Sequence, residues 1–120
     1  MPRYVDGFVV PVPKKKLKDY LKIAKIAAKV WMDHGALEYV ECSADDVKPG
    51  KWTSFPQAVK LKKGEVVWFS YIVYKNRRHR DRVFGAAMKD KRMAPMMDPK
   101  KFPFDGKRMI FGGFKVAVAK

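Results

Sequence analysis

The stretch from Glu65 to Tyr74, EVVWFSYIVY, is the most apolar run in the chain and restricts its possible folds more than any other segment. Its β-branched and aromatic residues favour a β-strand. In an extended chain alternate side chains face opposite ways, so Trp68 and Ile72 share one face while Phe69 and Val73 share the other. Both faces are apolar, and we therefore predict a central strand that is covered on both sides.

Two helices are predicted to cover one of these faces. Between residues 14 and 34 apolar side chains recur at helical spacing: Leu17, Tyr20, Leu21, Ala24, Ala27, Ala28 and Trp31. A second helix is predicted from the basic segment after Tyr74 to about Asp90. Two helices can cover only one face of a small sheet. We therefore expect a second copy of the chain to cover the other face, in a homodimer.

Further strands are expected at residues 4–12, 36–43 and 108–118. Residues 44–56 are expected to form a loop in which Trp52 and Phe55 fold back on the domain, and residues 57–61 could begin the central strand early. The order is strand, helix, strand, strand, helix, strand. With right-handed crossovers it predicts an α+β, ferredoxin-like fold: an antiparallel βαββαβ sheet with both helices on one face and the first and third strands in the centre.

The length and composition suit one soluble domain, residues 1–120. The chain is 48% hydrophobic and 13% aromatic, which argues against a disordered protein. No run reaches the ~18 apolar residues that a membrane span needs, and the N-terminus lacks a secretory signal. We expect a cytoplasmic protein without a membrane partner, and the single Cys42 is consistent with a reducing compartment.

The charge of +15, from 27 lysines and arginines against 12 aspartates and glutamates, raises the alternative of nucleic-acid or other polyanion binding. The basic residues concerned lie on the two predicted helices: Lys18, Lys22, Lys25, Lys29, Arg77, Arg78, Arg80 and Arg82. No recognition helix, aromatic RNA-binding motif or zinc finger accompanies them. A solvated helix face explains the same pattern.

Three segments resemble a known family. They are Tyr4 to Val10 (YVDGFVV), Glu41-Cys42 followed by Asp45-Asp46-Val47, and Pro103 to Phe114 (PFDGKRMIFGGF). Together they resemble the YbaA-like proteins, a bacterial family with a domain of unknown function numbered 1428. The resemblance implies a dimeric α+β barrel, in which two ferredoxin-like subunits pack sheet to sheet. It implies no established activity.

Several polar residues have both a functional and a structural interpretation. Asp6 is either a polar anchor in a pocket or the partner of a basic side chain such as Arg108 or Arg3. His34 either interacts with the dipole at a helix end or acts as a general base with Glu38 or Glu41 nearby. Glu38 and Glu41 face opposite ways on a strand, so they are not expected to form an acid and base pair.

A pocket between helices and sheet is therefore expected to bind a small molecule. Its catalytic candidates are Asp6, His34 and Glu38, and its ligand-binding candidates are Tyr4, Trp52, Trp68 and Arg108. No metal-ligand spacing occurs, and no metal or cofactor is predicted. Cofactor-free monooxygenases and isomerases share the fold implied by the resemblance, which makes such an enzyme the second alternative.

Overall fold

Four antiparallel strands form one sheet in the computed structural model, which describes residues 3–120. They are β1 (Tyr4–Pro13), β2 (Glu38–Ser43), β3 (Glu65–Tyr74) and β4 (Ile110–Lys115). Their spatial order is β2-β3-β1-β4, so the first and third strands lie in the centre. The predicted ferredoxin-like order is therefore confirmed.

Helices α1 (Leu17–Asp33) and α3 (Arg77–Met88) pack against one face of this sheet. α1 ends where Gly35 takes φ +107°, a conformation that side chains other than glycine's rarely adopt. α3 begins at Asn76, whose side-chain oxygen accepts the His79 backbone N–H at 2.8 Å. A single-turn helix, α2 (Phe55–Ala58), precedes β3.

The space between helices and sheet is filled by two clusters of buried side chains. Trp31 of α1, Val83 of α3 and Ile72 and Tyr74 of β3 belong to the first cluster. Tyr20, Val12 and Trp68 belong to the second. The Tyr4 side chain lies against β4 at Gly113, where a Cβ would be 2.5 Å from the Tyr4 hydroxyl, so glycine leaves the room that this ring needs.

The opposite face of the sheet is apolar and only partly covered. On this face Phe69 is 40% exposed to solvent, Ile110 44% and Phe114 64%. The strand registers place all three on the face that points away from α1 and α3. One chain thus covers the central strand on one side only, as the number of its helices predicted.

Two local predictions were wrong. Residues 57–61 do not begin the central strand: Ser54 caps α2 by accepting the Gln57 N–H, and Pro56 in its first turn favours a helical start. Trp52 does not fold back on the domain but is 84% exposed, with the Lys51 ammonium 4.8 Å from its ring. Phe55 does approach the sheet, with its ring 6.2 Å from that of Phe69.

The segment from α3 to β4 is irregular. It contains 3₁₀ turns at Lys91–Met97, Pro99–Lys101 and Gly106–Arg108. The last strand ends at Lys115, three residues earlier than predicted. None of the helices in residues 3–120 has the length and apolarity that crossing a bilayer requires.

Candidate functional site

A cavity of about 260 Å³ lies between α1, the sheet and the irregular segment that follows α3. Its walls are mostly aromatic and methionine side chains: Phe8, Tyr20, Trp31, Tyr39, Phe84, Phe102, Phe104, Met88, Met93, Met96 and Met109. Unbranched methionine side chains adapt their shape to irregular ligands. Such walls suit an apolar molecule with flat rings.

Glu41 is the single acidic residue among the described residues that line this cavity. It lies on β2 directly opposite Ser70 of β3, and this register turns its side chain toward the helices. The Tyr20 hydroxyl donates to Glu41 Oε1 at 2.7 Å, and the Tyr39 hydroxyl donates to Oε2 at 2.9 Å. Both oxygens of the carboxyl group are thereby fixed in position.

Burial raises the pKa of Glu41, because the ionised form loses hydration among apolar walls. The hydrogen bonds from Tyr20 and Tyr39 act in the opposite direction but are outweighed. Burial and the neighbouring carboxylate also raise the pKa of both tyrosines, so their hydroxyls remain protonated donors. The site therefore contains one buried carboxyl with a raised pKa, whose two oxygens are held by tyrosine hydroxyls.

Trp68 lies beside this group but is not part of the cavity wall. Its ring packs edge-on against Tyr20 with centroids 5.1 Å apart. Its buried Nε1–H has no partner of hydrogen-bond geometry within residues 3–120, although it lies close enough to Glu41 to lower the pKa of that carboxyl. We regard this N–H as a spare donor near the carboxylate rather than as a formed hydrogen bond.

Asp6 belongs to a separate buried network. Its carboxylate is fully buried and accepts the Tyr74 hydroxyl at 3.0 Å, and that hydroxyl accepts the Trp31 Nε1–H at 3.0 Å. Arg80 Nη1 of α3 donates to Asp6 at 3.1 Å, and the guanidinium lies 5.1 Å from the Tyr4 ring centroid. Burial raises the pKa of Asp6, while Tyr74 and then Arg80 lower it.

This network corrects the partners expected for Asp6. Arg108 instead donates to both oxygens of Glu65, at 2.7 and 2.6 Å, and to Asp105 at 3.1 Å. The hydrogen bonds from Arg108 lower the pKa of Glu65. Arg80, which was expected to be one of the polyanion-binding residues, reaches Asp6 because it lies one turn into α3, above the start of β1.

The remaining predicted site residues do not line the cavity. His34 is the C-terminal cap of α1, and its Nε2 lies 2.9 Å from Asp90 Oδ2. Glu38 is exposed on the outer face of β2, and Trp52 is in the 44–56 loop. Asp6, His34 and Glu38 are thus on three different parts of the surface and core and form no common site.

The other basic residues singled out in the sequence are exposed. Lys18, Lys22, Lys25 and Lys29 lie along α1, where Lys29 forms an ion pair with Asp33 at 2.7 Å, and Arg77, Arg78 and Arg82 lie on α3. Polyanion binding by these residues stays a prediction. No three His, Cys, Asp or Glu side chains among residues 3–120 are grouped so that they could hold a metal ion.

The sequence pattern placed Glu41 on the opposite face of its strand from Glu38 but did not indicate the roles of Tyr20 and Tyr39. The signal that could have found the site is the spacing of Tyr39 and Glu41, which are two residues apart and therefore share one face of β2 beside β3. Tyr20 is separated from Glu41 by 21 residues and comes from the apolar face of α1, where a tyrosine reads as a core residue.

Comparison with known proteins identifies the family. The model described as "Protein of unknown function (DUF1428)" matches residues 3–106. The chain is 47% identical over 116 residues to the uncharacterized protein YbaA of Escherichia coli strain K12, with 97% of both chains covered. The uncharacterized YbaA of Shigella flexneri gives the same values.

A dimeric ferredoxin-like protein from an uncultured marine organism has a similar solved structure. It matches with a TM-score of 0.68 at 9% identity, and 100% of each chain is covered. At this identity the similarity shows the fold alone, and it agrees with the strand order described above. The chain belongs to the DUF1428 family of proteins of unknown function.

Proposed function

We propose that this protein is a cytoplasmic homodimer that binds a small, largely apolar molecule in the cavity between helices and sheet. The observation that carries the proposal is the cavity wall itself. Aromatic rings and methionines surround Glu41, the one acidic side chain among the described residues of the wall, and two tyrosine hydroxyls fix it in place. Few polar groups in an apolar concavity are typical of ligand-binding sites.

The size of the cavity limits the ligand. Its volume of about 260 Å³ is slightly below the range of roughly 300–1,000 Å³ that is usual for drug-sized ligands. A molecule of one or two rings therefore fits better than a nucleotide or a long lipid. Glu41 would orient such a molecule through one polar group, while Trp31 and Phe84 would contact its rings.

Filling the cavity tests ligand binding. Ala24 is 7% exposed and lines the cavity, so Ala24→Phe should place a ring in it, whereas Ala28 on the same helix does not line it. We expect 1-naphthol, indole and related one- and two-ring compounds to bind saturably to the unchanged protein and to Ala28→Phe, as isothermal titration calorimetry would show. Ala24→Phe should lose binding at least tenfold. Equal binding by a folded Ala24→Phe protein would contradict the proposed site.

The dimer is supported by the open face of the sheet. Phe69, Ile110 and Phe114 would be buried if a second copy packed its sheet against the first, and a dimeric protein of the same fold offers a precedent. Each exposed ring buried in such an interface would contribute roughly 25 cal/mol per Å². A contiguous apolar patch of this kind marks an interaction surface.

Sedimentation equilibrium tests the dimer. The unchanged protein should have about twice the 13.9 kDa mass of one chain at micromolar concentration. Phe69→Asp should yield monomers, because a carboxylate would be buried without a partner. Met32→Asp is the matched control, since Met32 on α1 is 44% exposed and Phe69 is 40% exposed. A monomeric unchanged protein would overturn this part of the proposal.

A further inference from the structure

We propose that Glu41 is a general base that removes a proton from a carbon atom of the bound molecule, so that the cavity catalyses proton-transfer isomerisation. The substrate class is a small ring or chain ketone with an acidic C–H beside its carbonyl and a neighbouring double bond. This inference rests on ligand binding in the cavity. It goes further by giving the bound molecule a reaction.

The geometry of Glu41 suits a base. Its carboxylate is the one acidic group in the described cavity wall, and no lysine, arginine or histidine of that wall neutralises it. Hydrogen bonds from Tyr20 and Tyr39 fix one oxygen each, at 2.7 and 2.9 Å. A carboxylate oxygen has more than one lone pair, so each oxygen can accept a further proton while these bonds persist.

The surroundings of Glu41 also suit the charge that forms during such a reaction. The Tyr20 and Tyr39 hydroxyls are held in the protonated state by burial and by Glu41. Ser70, 5% exposed, lines the cavity directly across the strand pair from Glu41. Each tyrosine hydroxyl has one proton and donates it to Glu41, so the Ser70 hydroxyl is the donor left for negative charge on a carbonyl oxygen. Such an interaction is stronger where water is excluded.

The reaction balances without another reactant. Glu41 takes the proton from the carbon beside the carbonyl, the C–H bond breaks, and its electron pair moves toward the carbonyl oxygen to form an enolate. The neutral Glu41 then returns the same proton to the far carbon of the conjugated system. The double bond changes position, and no electron is gained or lost overall. Tyr20 and Tyr39 keep donating to Glu41 and are not deprotonated, while the Ser70 hydroxyl donates to the enolate oxygen.

A structural role for Glu41 is the competing explanation. The two tyrosines satisfy the carboxylate, but its burial raises its pKa, which shows that the site holds the charged form at a cost. A glutamine would satisfy similar hydrogen bonds without that cost. A carboxylate whose pKa is raised is a stronger base than an exposed carboxylate is. The general-base role predicts turnover that depends on Glu41, whereas the structural role predicts none.

The probe 5-nitrobenzisoxazole tests this difference. Removal of the C–H proton of its isoxazole ring by a base breaks the N–O bond in the same step and releases a coloured phenolate. We expect saturable turnover that increases with pH as Glu41 ionises. Glu41→Gln should lower the rate at least about 100-fold. Glu38→Gln is the matched control, because Glu38 lies on the outer face of the same strand.

Two further measurements separate the possible failures. Tyr39→Phe keeps the base but removes one donor, and it should change the midpoint of the pH profile, which a purely structural role would not do. Binding of the probe is followed independently by tryptophan fluorescence. If the probe binds but Glu41→Gln leaves its turnover rate unchanged, the general-base role of Glu41 is overturned and the binding site is retained. Absence of probe binding overturns both. Glu41→Asp provides a second reduced-rate variant if the glutamine protein does not fold.

Discussion

Replacing Arg80 with methionine removes the buried ion pair that joins α3 to β1, together with the more exposed pair between Arg80 and Asp81 at 3.0 Å. Asp6 is fully buried, the Arg80 side chain is 15% exposed, and their atoms approach to 3.1 Å. Methionine keeps much of the side-chain volume but leaves the Asp6 carboxylate with the Tyr74 hydroxyl alone. Removal of one partner from such a pair typically lowers the free energy of unfolding by about 3–5 kcal/mol.

The pH dependence of this loss follows from Asp6. Its folded pKa is already raised by burial, and loss of Arg80 raises it further. The folded state then binds a proton more tightly than the unfolded state, so stability falls as pH rises through that range. The cost of Arg80→Met should therefore be largest at neutral pH and should decrease below about pH 4, where Asp6 is protonated in both states.

Urea unfolding at constant protein concentration measures the effect. Arg77→Met is the matched control, because Arg77 lies 3.9 Å from Asp81 and both side chains are more than half exposed, at 69% and 59%. The control should change stability by less than about 1 kcal/mol. Equal costs for the two variants, or a larger cost of Arg80→Met in acid, would refute the role given to the pair.

Two further predictions concern stability. Glu41→Gln should raise the free energy of unfolding at pH 7, since the raised folded pKa makes the buried carboxylate unfavourable above that range, and the gain should vanish as pH falls below about 4; a constant gain at all pH values would contradict this cause. Asn76→Ala should lower the unfolding free energy by about 1 kcal/mol through loss of the α3 cap, whereas Asn76→Ser should retain most of it, as thermal unfolding would show.

The topology was predictable because it depends on local patterns. The two-residue period of β3 and the helical period of α1 each arise from neighbouring residues, and the chain order then permits few arrangements. The start of α2 was missed because Ser54 and Pro56 specify a helical turn more strongly than the valine and leucine that follow them specify a strand. Local capping decided that segment.

The polar contacts were less predictable because they join distant parts of the chain. Asp6 and Arg80 are 74 residues apart, and several other basic residues were equally plausible partners from the sequence. His34 was correctly associated with a helix end. Its partner Asp90, however, lies 56 residues later in the chain, just after α3. Side-chain pairing of this kind depends on how helices pack, which periodicity does not specify.

The position of Glu41 on an edge strand has a consequence for how the cavity exchanges protons with solvent. Within residues 3–120 β2 is hydrogen-bonded to β3 alone, so we expect its backbone to open more readily than that of the two central strands. Each opening moves Tyr39 and Glu41 together and admits water beside the carboxyl. The rate of proton exchange between Glu41 and solvent would then follow the rate of amide hydrogen exchange in β2. If β2 opened more slowly, each protonation state of Glu41 would last longer.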